Sequence, residues 1–226
     1  MKFLTLLDKL PYSEHGPIGQ IYFLLTFIFR IALLIAIGES IYVQNWITAV
    51  LALVTFILTF LPYFIEKNYS IKLPLEFEFV IFLFLYAALF LGELHDYYAL
   101  FWWWDIMLHA GSALIIGLVG FMLLYILYRG KKIQARPGMI VLFAFCFALA
   151  FGAVWEIFEF GMDQSFGFNM QKSGLVDTMW DLIIDAIGAL VASLFGYVYL
   201  KRGEDFIITR IIKRLKKDNP ALFEDD

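Results

Sequence analysis

The sequence predicts an all-α polytopic membrane protein, a bundle of six transmembrane helices with both termini in the cytoplasm. Three observations predict it. The first is composition: 62% of the 226 residues are hydrophobic and the mean hydropathy is +0.79, where soluble domains have about 45–50% apolar residues. The second is that six apolar segments approach the roughly 20 residues needed to cross a hydrocarbon core about 30 Å thick. The third is the placement of basic residues, which are retained near span ends on the cytoplasmic side. Of 17 Lys and Arg, all but Arg30 and Lys172 fall on one side of a six-span topology.

The spans are placed near Gln20 to Gly38, Trp46 to Ile65, Leu75 to Leu91, Trp103 to Tyr128, Pro137 to Phe160 and Val176 to Leu200. Pro74 and Pro137 stand where helix starts tolerate a residue without an N–H. Residues 1–200 form one six-span domain in this reading, and 201–226 a cytoplasmic basic amphipathic tail. The opening MKFLTLLDKLPYSEHGPIGQ has too short an apolar core before Asp8 and Lys9 for a secretory signal, and reads as a cytoplasmic lead-in. The tail EDFIITRIIKRLKK places Phe206, Ile207, Ile211 and Leu215 near one face and basic residues around the others. That pattern suits a helix on an anionic inner leaflet, or a solvated tail whose charges enforce topology. Cys146, the single cysteine, has no intramolecular disulfide partner and reads as a small packing residue. The cytoplasmic (plasma) membrane is the expected location and membrane lipids the expected partners. Nothing in the charge pattern supports nucleic-acid binding.

Polar residues converge on three spans near their outer ends. The fourth begins WWWDIMLHAGSAL, with Asp105 and His109 one turn apart; the fifth ends FGAVWEIFEFGMD, with Glu156, Glu159 and Asp163. The sixth opens DTMWDLIID, which sets Asp177, Asp181 and Asp185 at intervals of four. At about 100° per residue each set occupies one face of its helix. The same faces carry Ser112, Ala113 and Gly120, then Ala148 and Gly152, then Gly188, Ala192 and Gly196. Small residues let helices approach closely in a bilayer, so the acids are expected to point inward.

Asp177 to Asp185 covers about 12 Å along the helix axis, from the outer interface well into the membrane. An ionised Asp at mid-membrane costs about 2.5–3.5 kcal/mol even on insertion scales, so six carboxylates need protonation, a cationic side chain or a bound cation. Arg30, within the first span, and Lys172, in the last outer loop, are the available counterions. The remaining carboxylates and one imidazole make a ligand set suited to a divalent metal such as Mg, Mn, Ca or Zn. Asp105, His109, Glu156, Asp177, Asp181 and Asp185 are the candidate ligands; Glu156, Glu159 and His109 are the candidate proton-transfer groups. Asp177 also reads as a helix-end dipole partner. The structural alternative has all the acids hydrogen-bonded and holding the bundle together.

Glu93, His95 and Asp96 lie in an outer loop, as a solvated segment or a lid over the site. Tyr97, Tyr98, Trp102, Trp103 and Trp104 form an aromatic belt, or a platform for a headgroup. Glu76 and Glu78 open the third span at the inner interface.

No HExxH or GxSxG occurs, so the helix-borne zinc-protease and nucleophile-elbow arrangements are absent. The aspartate ladder resembles the end of the CDP-alcohol phosphotransferase signature but lacks the acidic, Gly and Arg elements that precede it. WDIMLHAGSALIIG, VWEIFEF and DTMWDLIIDAIGAL together resemble the signature segments of YjdF-like bacterial integral membrane proteins, over the last three spans. They are also distantly similar to VanZ-like proteins, which carry an Asp and His at the start of one span and acids in later ones. The resemblance implies a membrane bundle and assigns no activity.

Three functions fit these residues. One is a metal-assisted hydrolase or phosphoryl transferase acting on a lipid or lipid-linked substrate from the outer leaflet. Another is a proton- or cation-coupled transporter. The third is a non-catalytic envelope protein that binds a lipid headgroup or an antibiotic.

Overall fold

In the computed structural model, which describes residues 16–69, 71–167, 169–203 and 206–220, every element is helical and no strand occurs among the described residues. Helix α1 spans Gly16–Tyr42, α2 Trp46–Leu58, α3 Leu61–Tyr69 and α4 Leu75–Leu85. A π-helical turn, Tyr86–Glu93, continues α4, and the short α5 covers Tyr97–Leu100. Then come α6 (Trp104–Arg129), α7 (Pro137–Phe166), α8 (Leu175–Arg202) and α9 (Phe206–Asp218). The lead-in through His15 lies outside the described residues.

Five helical stretches are long and apolar enough to cross a membrane, at 24, 19, 26, 30 and 28 residues. The second expected span differs: α2 and α3 meet at a 40° bend, and together they make the sixth crossing or a re-entrant turn. Its cause is local. Pro62, in the first turn of α3, has no N–H to return to Leu58, and its ring opposes a continuous ladder. Thr55 and Thr59 turn their hydroxyls back onto the carbonyls of Leu51 (2.8 Å) and Phe56 (2.7 Å), an arrangement that bends helices.

By contacts the chain divides into Met1–Phe101 and Trp102–Asp226. In the first unit α1 packs on α2 and α4. Its core is Tyr22, Phe29, Leu33, Ala52, Leu75 and Phe82. Phe29 meets Phe82, Tyr86 and Phe90 edge to face at 5.3, 5.0 and 5.3 Å, the geometry aromatic quadrupoles favour. The Arg30 guanidinium, offered by the sequence as a counterion for the acids, is engaged at the α2–α3 bend. Its Nε donates to Thr59 Oγ1 at 3.0 Å and its Nη2 to the Thr59 carbonyl at 2.9 Å, and it lies over the Phe60 ring at 3.9 Å. A basic residue in an apolar span is thereby put to satisfying a broken helix. Glu78, expected at an interface, is buried and accepts from the Tyr22 hydroxyl at 3.3 Å.

In the second unit α6, α7 and α8 each pack on the other two. The seam between them is made of small residues: Ala113, Ala148, Ala189 and Ala192 are all at most 2% exposed. A Cβ on Gly117 would stand 2.7 Å from the Ala192 methyl. On the opposite side of α7, Val154, Ile157 and Phe160 are more than half exposed, as lipid-facing side chains are. Cys146 is also exposed, so it lies on the outside of α7 and not in the packing. Helix α9 buries Ile208, Ile211, Ile212 and Leu215. Ile211 and Leu215 belong to the expected stripe; the side chains of Phe206 and Ile207 lie outside the described residues.

Candidate functional site

The three acidic faces meet at one end of the α6–α7–α8 unit. His109 is at the centre, one turn into α6. Its Nδ1 lies 3.2 Å and 3.3 Å from the two oxygens of Asp185. Its Nε2 lies 3.8 Å from Asp105 Oδ1 and 3.8 Å from Glu156 Oε1. His109, Glu156, Asp181 and Asp185 are all buried. Asp185 is deepest in sequence terms, ten residues into α8, or about 15 Å along its axis.

Two overlapping triads have donor atoms close enough to share one ion. In His109, Glu156 and Asp181, and in Asp105, Asp177 and Asp181, the donors lie within 4.8 Å of one another. Asp181 belongs to both. Glu156 is 4% exposed, and neither of its oxygens has a hydrogen-bond partner among the described residues. His109 Nε2 and the Thr178 side chain face it. Asp177 Oδ2 is likewise buried without a partner. The start of α8 is capped by Gly174, and Asp177 lies in its first turn, where a carboxylate also meets the helix dipole. An unpaired buried carboxylate costs several kcal/mol, and its persistence beside a histidine marks a place for a proton or a cation.

The other candidates have different surroundings. Glu159 is 8% exposed and takes the Trp155 indole N–H on Oε1 at 2.9 Å. Asp163 is occupied by the loop that follows α7, accepting the backbone N–H groups of Met170 and Gln171 at 2.8 and 2.9 Å. Gln171 donates in turn to the Thr178 hydroxyl at 2.6 Å. Gly167 and Gly174 take positive φ, +69° and +64°, which an L side chain resists. This ordered loop presents Lys172, whose Nζ reaches Asp105 Oδ2 at 2.8 Å. The sequence indicated Lys172 as a rim cation; the loop scaffold of Asp163, Gln171 and Thr178 was not foreseen. Its only signal was an acid followed by two glycines.

Lys172 is 36% exposed, so the pair is worth no more than about 1 kcal/mol. Lys172→Ala is accordingly expected to shift the thermal midpoint of detergent-purified protein by only a few degrees. A collapse of the fold in that variant would show that the loop depends on the ion pair.

Beyond Asp185 the α8 face turns to small residues, with Ser193 buried among them. A Cβ on Gly188 would stand 2.8 Å from the Ala110 carbonyl and 3.0 Å from the Ala113 methyl. Further along, Phe121 is fully buried against Gly196, and Tyr125 and Tyr199 meet through their hydroxyls at 3.3 Å.

Fold and site together define a multi-pass helical membrane protein with a buried acidic cluster between three of its long apolar helices. The chain belongs to the family described as "Predicted membrane protein (DUF2238)", whose pattern matches residues 21–202. It is also similar to an uncharacterised protein of Thermotoga maritima, with 29% identity over 139 residues, 61% of this chain and 70% of the relative. No solved structure matches the chain.

Proposed function

We propose that the α6–α7–α8 pocket binds one divalent metal ion and that the protein is a metal-assisted hydrolase or phosphoryl transferase acting on a lipid or lipid-linked substrate. The observation that carries the reading is Glu156: a carboxylate almost without solvent contact, lacking a hydrogen bond, with its oxygen 3.8 Å from an imidazole nitrogen. Two donors bound about 2.1 Å from the same ion lie on the order of 3–4 Å apart. His109, Glu156 and Asp181 would hold the ion, with Asp105 and Asp177 at the mouth. One nitrogen among oxygens suits Mg, Mn, Ca or an oxygen-rich Zn site. A bound ion of this kind polarises a phosphate or ester oxygen and acidifies a water.

Glu159, oriented by the Trp155 indole, is the proton acceptor in this reading. The exposed apolar faces of α7 and α8 let a lipid approach laterally, and the excess of Lys and Arg on the other side orients the pocket to the outside of the cytoplasmic membrane. Transport through this unit is disfavoured by the close packing of Gly188, Ala189 and Ala192 beyond Asp185.

Elemental analysis of protein purified in detergent without chelator tests the reading. About one divalent ion per chain is expected in the wild type, and none in Asp181→Ala or His109→Ala. Absence of metal from the wild type, after attempted reloading, would remove the metal site. Metal-loaded protein that turns over no lipid phosphate or ester across a broad panel would leave binding without catalysis.

A further inference from the structure

The two nitrogens of His109 have different environments, and the difference divides the acids into two kinds. Nδ1 is held by Asp185 alone, with both carboxylate oxygens nearly equidistant at 3.2 and 3.3 Å. An ionised carboxylate only accepts, so in this forked contact Nδ1 is the donor. Nε2 faces Asp105 and Glu156 at 3.8 Å each, beyond hydrogen-bond reach. Asp185 has no freedom to turn from the ring. It is 1% exposed, and against it lies Gly152 of α7, where any Cβ would fall onto the Asp185 carboxylate.

We infer that Asp185 is a positioning residue and not a metal ligand: it fixes the His109 imidazole with Nδ1 donating, which leaves the Nε2 lone pair directed at Glu156 and Asp105. Gly152 is part of the device, since its missing side chain is the space that the carboxylate occupies. The inference rests on the metal-site reading proposed above and revises the sequence-based assignment of Asp185 as a ligand. Metal-bound histidines are regularly oriented this way by a carboxylate on the other nitrogen, and loss of that partner weakens metal binding about 10–100-fold.

Two readouts test it separately from the metal itself. The first is the ¹⁵N spectrum of histidine-labelled, metal-free protein in detergent, with the His109 signals identified by their loss in His109→Gln. In the wild type Nδ1 is expected to carry its hydrogen in a hydrogen bond to Asp185, and the Nδ1 signal is expected to move in Asp185→Ala. A wild-type ring with Nδ1 unprotonated, or an Nδ1 signal untouched by the substitution, overturns the inference whatever the metal content. The second is cobalt(II) affinity and visible absorption. Asp185→Asn and Gly152→Ala should each bind one cobalt with the wild-type band intensities, about 10–100-fold more weakly. Wild-type affinity in both variants overturns the positioning role. Complete loss of cobalt from Asp185→Asn, as from Asp181→Asn, makes Asp185 a ligand and also overturns it. The expected Nδ1 signals together with no cobalt uptake by the wild type separate the two ideas: the ring is positioned by Asp185, and the metal reading fails. Asp185→Asn keeps an acceptor for Nδ1, so the test does not depend on the folding of the alanine variant.

Discussion

Leucine in place of Gly188 is expected to abolish the folded α6–α7–α8 unit. The glycine lies against the backbone of α6, where a single Cβ would meet the Ala110 carbonyl at 2.8 Å, the Ala113 methyl at 3.0 Å and the Leu114 nitrogen at 3.3 Å. Two of those three neighbours are main-chain atoms, which cannot move without displacing the helix. Overpacking where side chains can adjust costs about 1–3 kcal/mol, and membrane helices have only close packing and polar contacts to hold them together. A leucine at this position would therefore separate α8 from α6. The separation would also take Asp181 and Asp185 away from His109, because Gly188 is less than one turn beyond Asp185 on the same helix. Size-exclusion chromatography in detergent should show the variant aggregated or absent from the membrane fraction. Gly188→Ala should express, with its thermal midpoint lowered by several degrees. A leucine variant that elutes as the wild type does would mean that α6 and α8 are not in contact at this point.

The same glycine shows why so much of the pocket could be read from the chain. Acids and small residues recur together every three or four positions on three spans, and helical geometry alone puts both on one face. In a bilayer the small residues determine which face meets a neighbour, so the acids had to converge. Depth followed from counting residues along each helix. What the pattern could not hold was the choice among partners. Asp185 and Asp181 are alike in sequence, four residues apart on one ladder. Only the position of His109 across the seam makes the one a ring partner and the other a member of both ion-sized triads. Glu156 and Glu159 differ likewise through Trp155, whose indole reaches one and not the other.

The first unit was less legible for a related reason. The Trp46 to Ile65 stretch passes every test of hydropathy, and the bend at Thr59 and Phe60 arises from Pro62 together with two threonine side chains and an arginine contributed by α1. By charge alone Arg30 matches the acids. It is used at the bend because a guanidinium can donate to a hydroxyl and a carbonyl at once, which a break in a membrane helix needs. Charge complementarity alone ranks that partner last.

Glu156→Gln is expected to separate function from stability in opposite directions. In metal-free protein the carboxylate is buried, without a hydrogen bond, and among other acids. A group in that condition lowers the stability of the fold, and removing its capacity for charge relieves an unfavourable burial of about 1–3 kcal/mol. The glutamine has nearly the same shape and an amide that can donate to a neighbouring carboxylate such as that of Asp105 or Asp185. Its metal-free thermal midpoint should therefore equal or exceed that of the wild type. With saturating divalent metal the order should reverse. The wild type gains stability as ligand occupancy rises, by about 2.7 kcal/mol at a hundredfold excess over the dissociation constant, whereas the variant, lacking an anionic ligand, gains little. Turnover of any lipid phosphate or ester should be lost with the metal. Paired thermal melts in detergent, with chelator and with added manganese or zinc, give the sign directly. A glutamine variant much less stable than the wild type in chelator would mean that Glu156 already holds the helices together through its own contacts. Its position would then be that of a structural strut, and the case for an ion between His109 and Asp181 would have lost its best support.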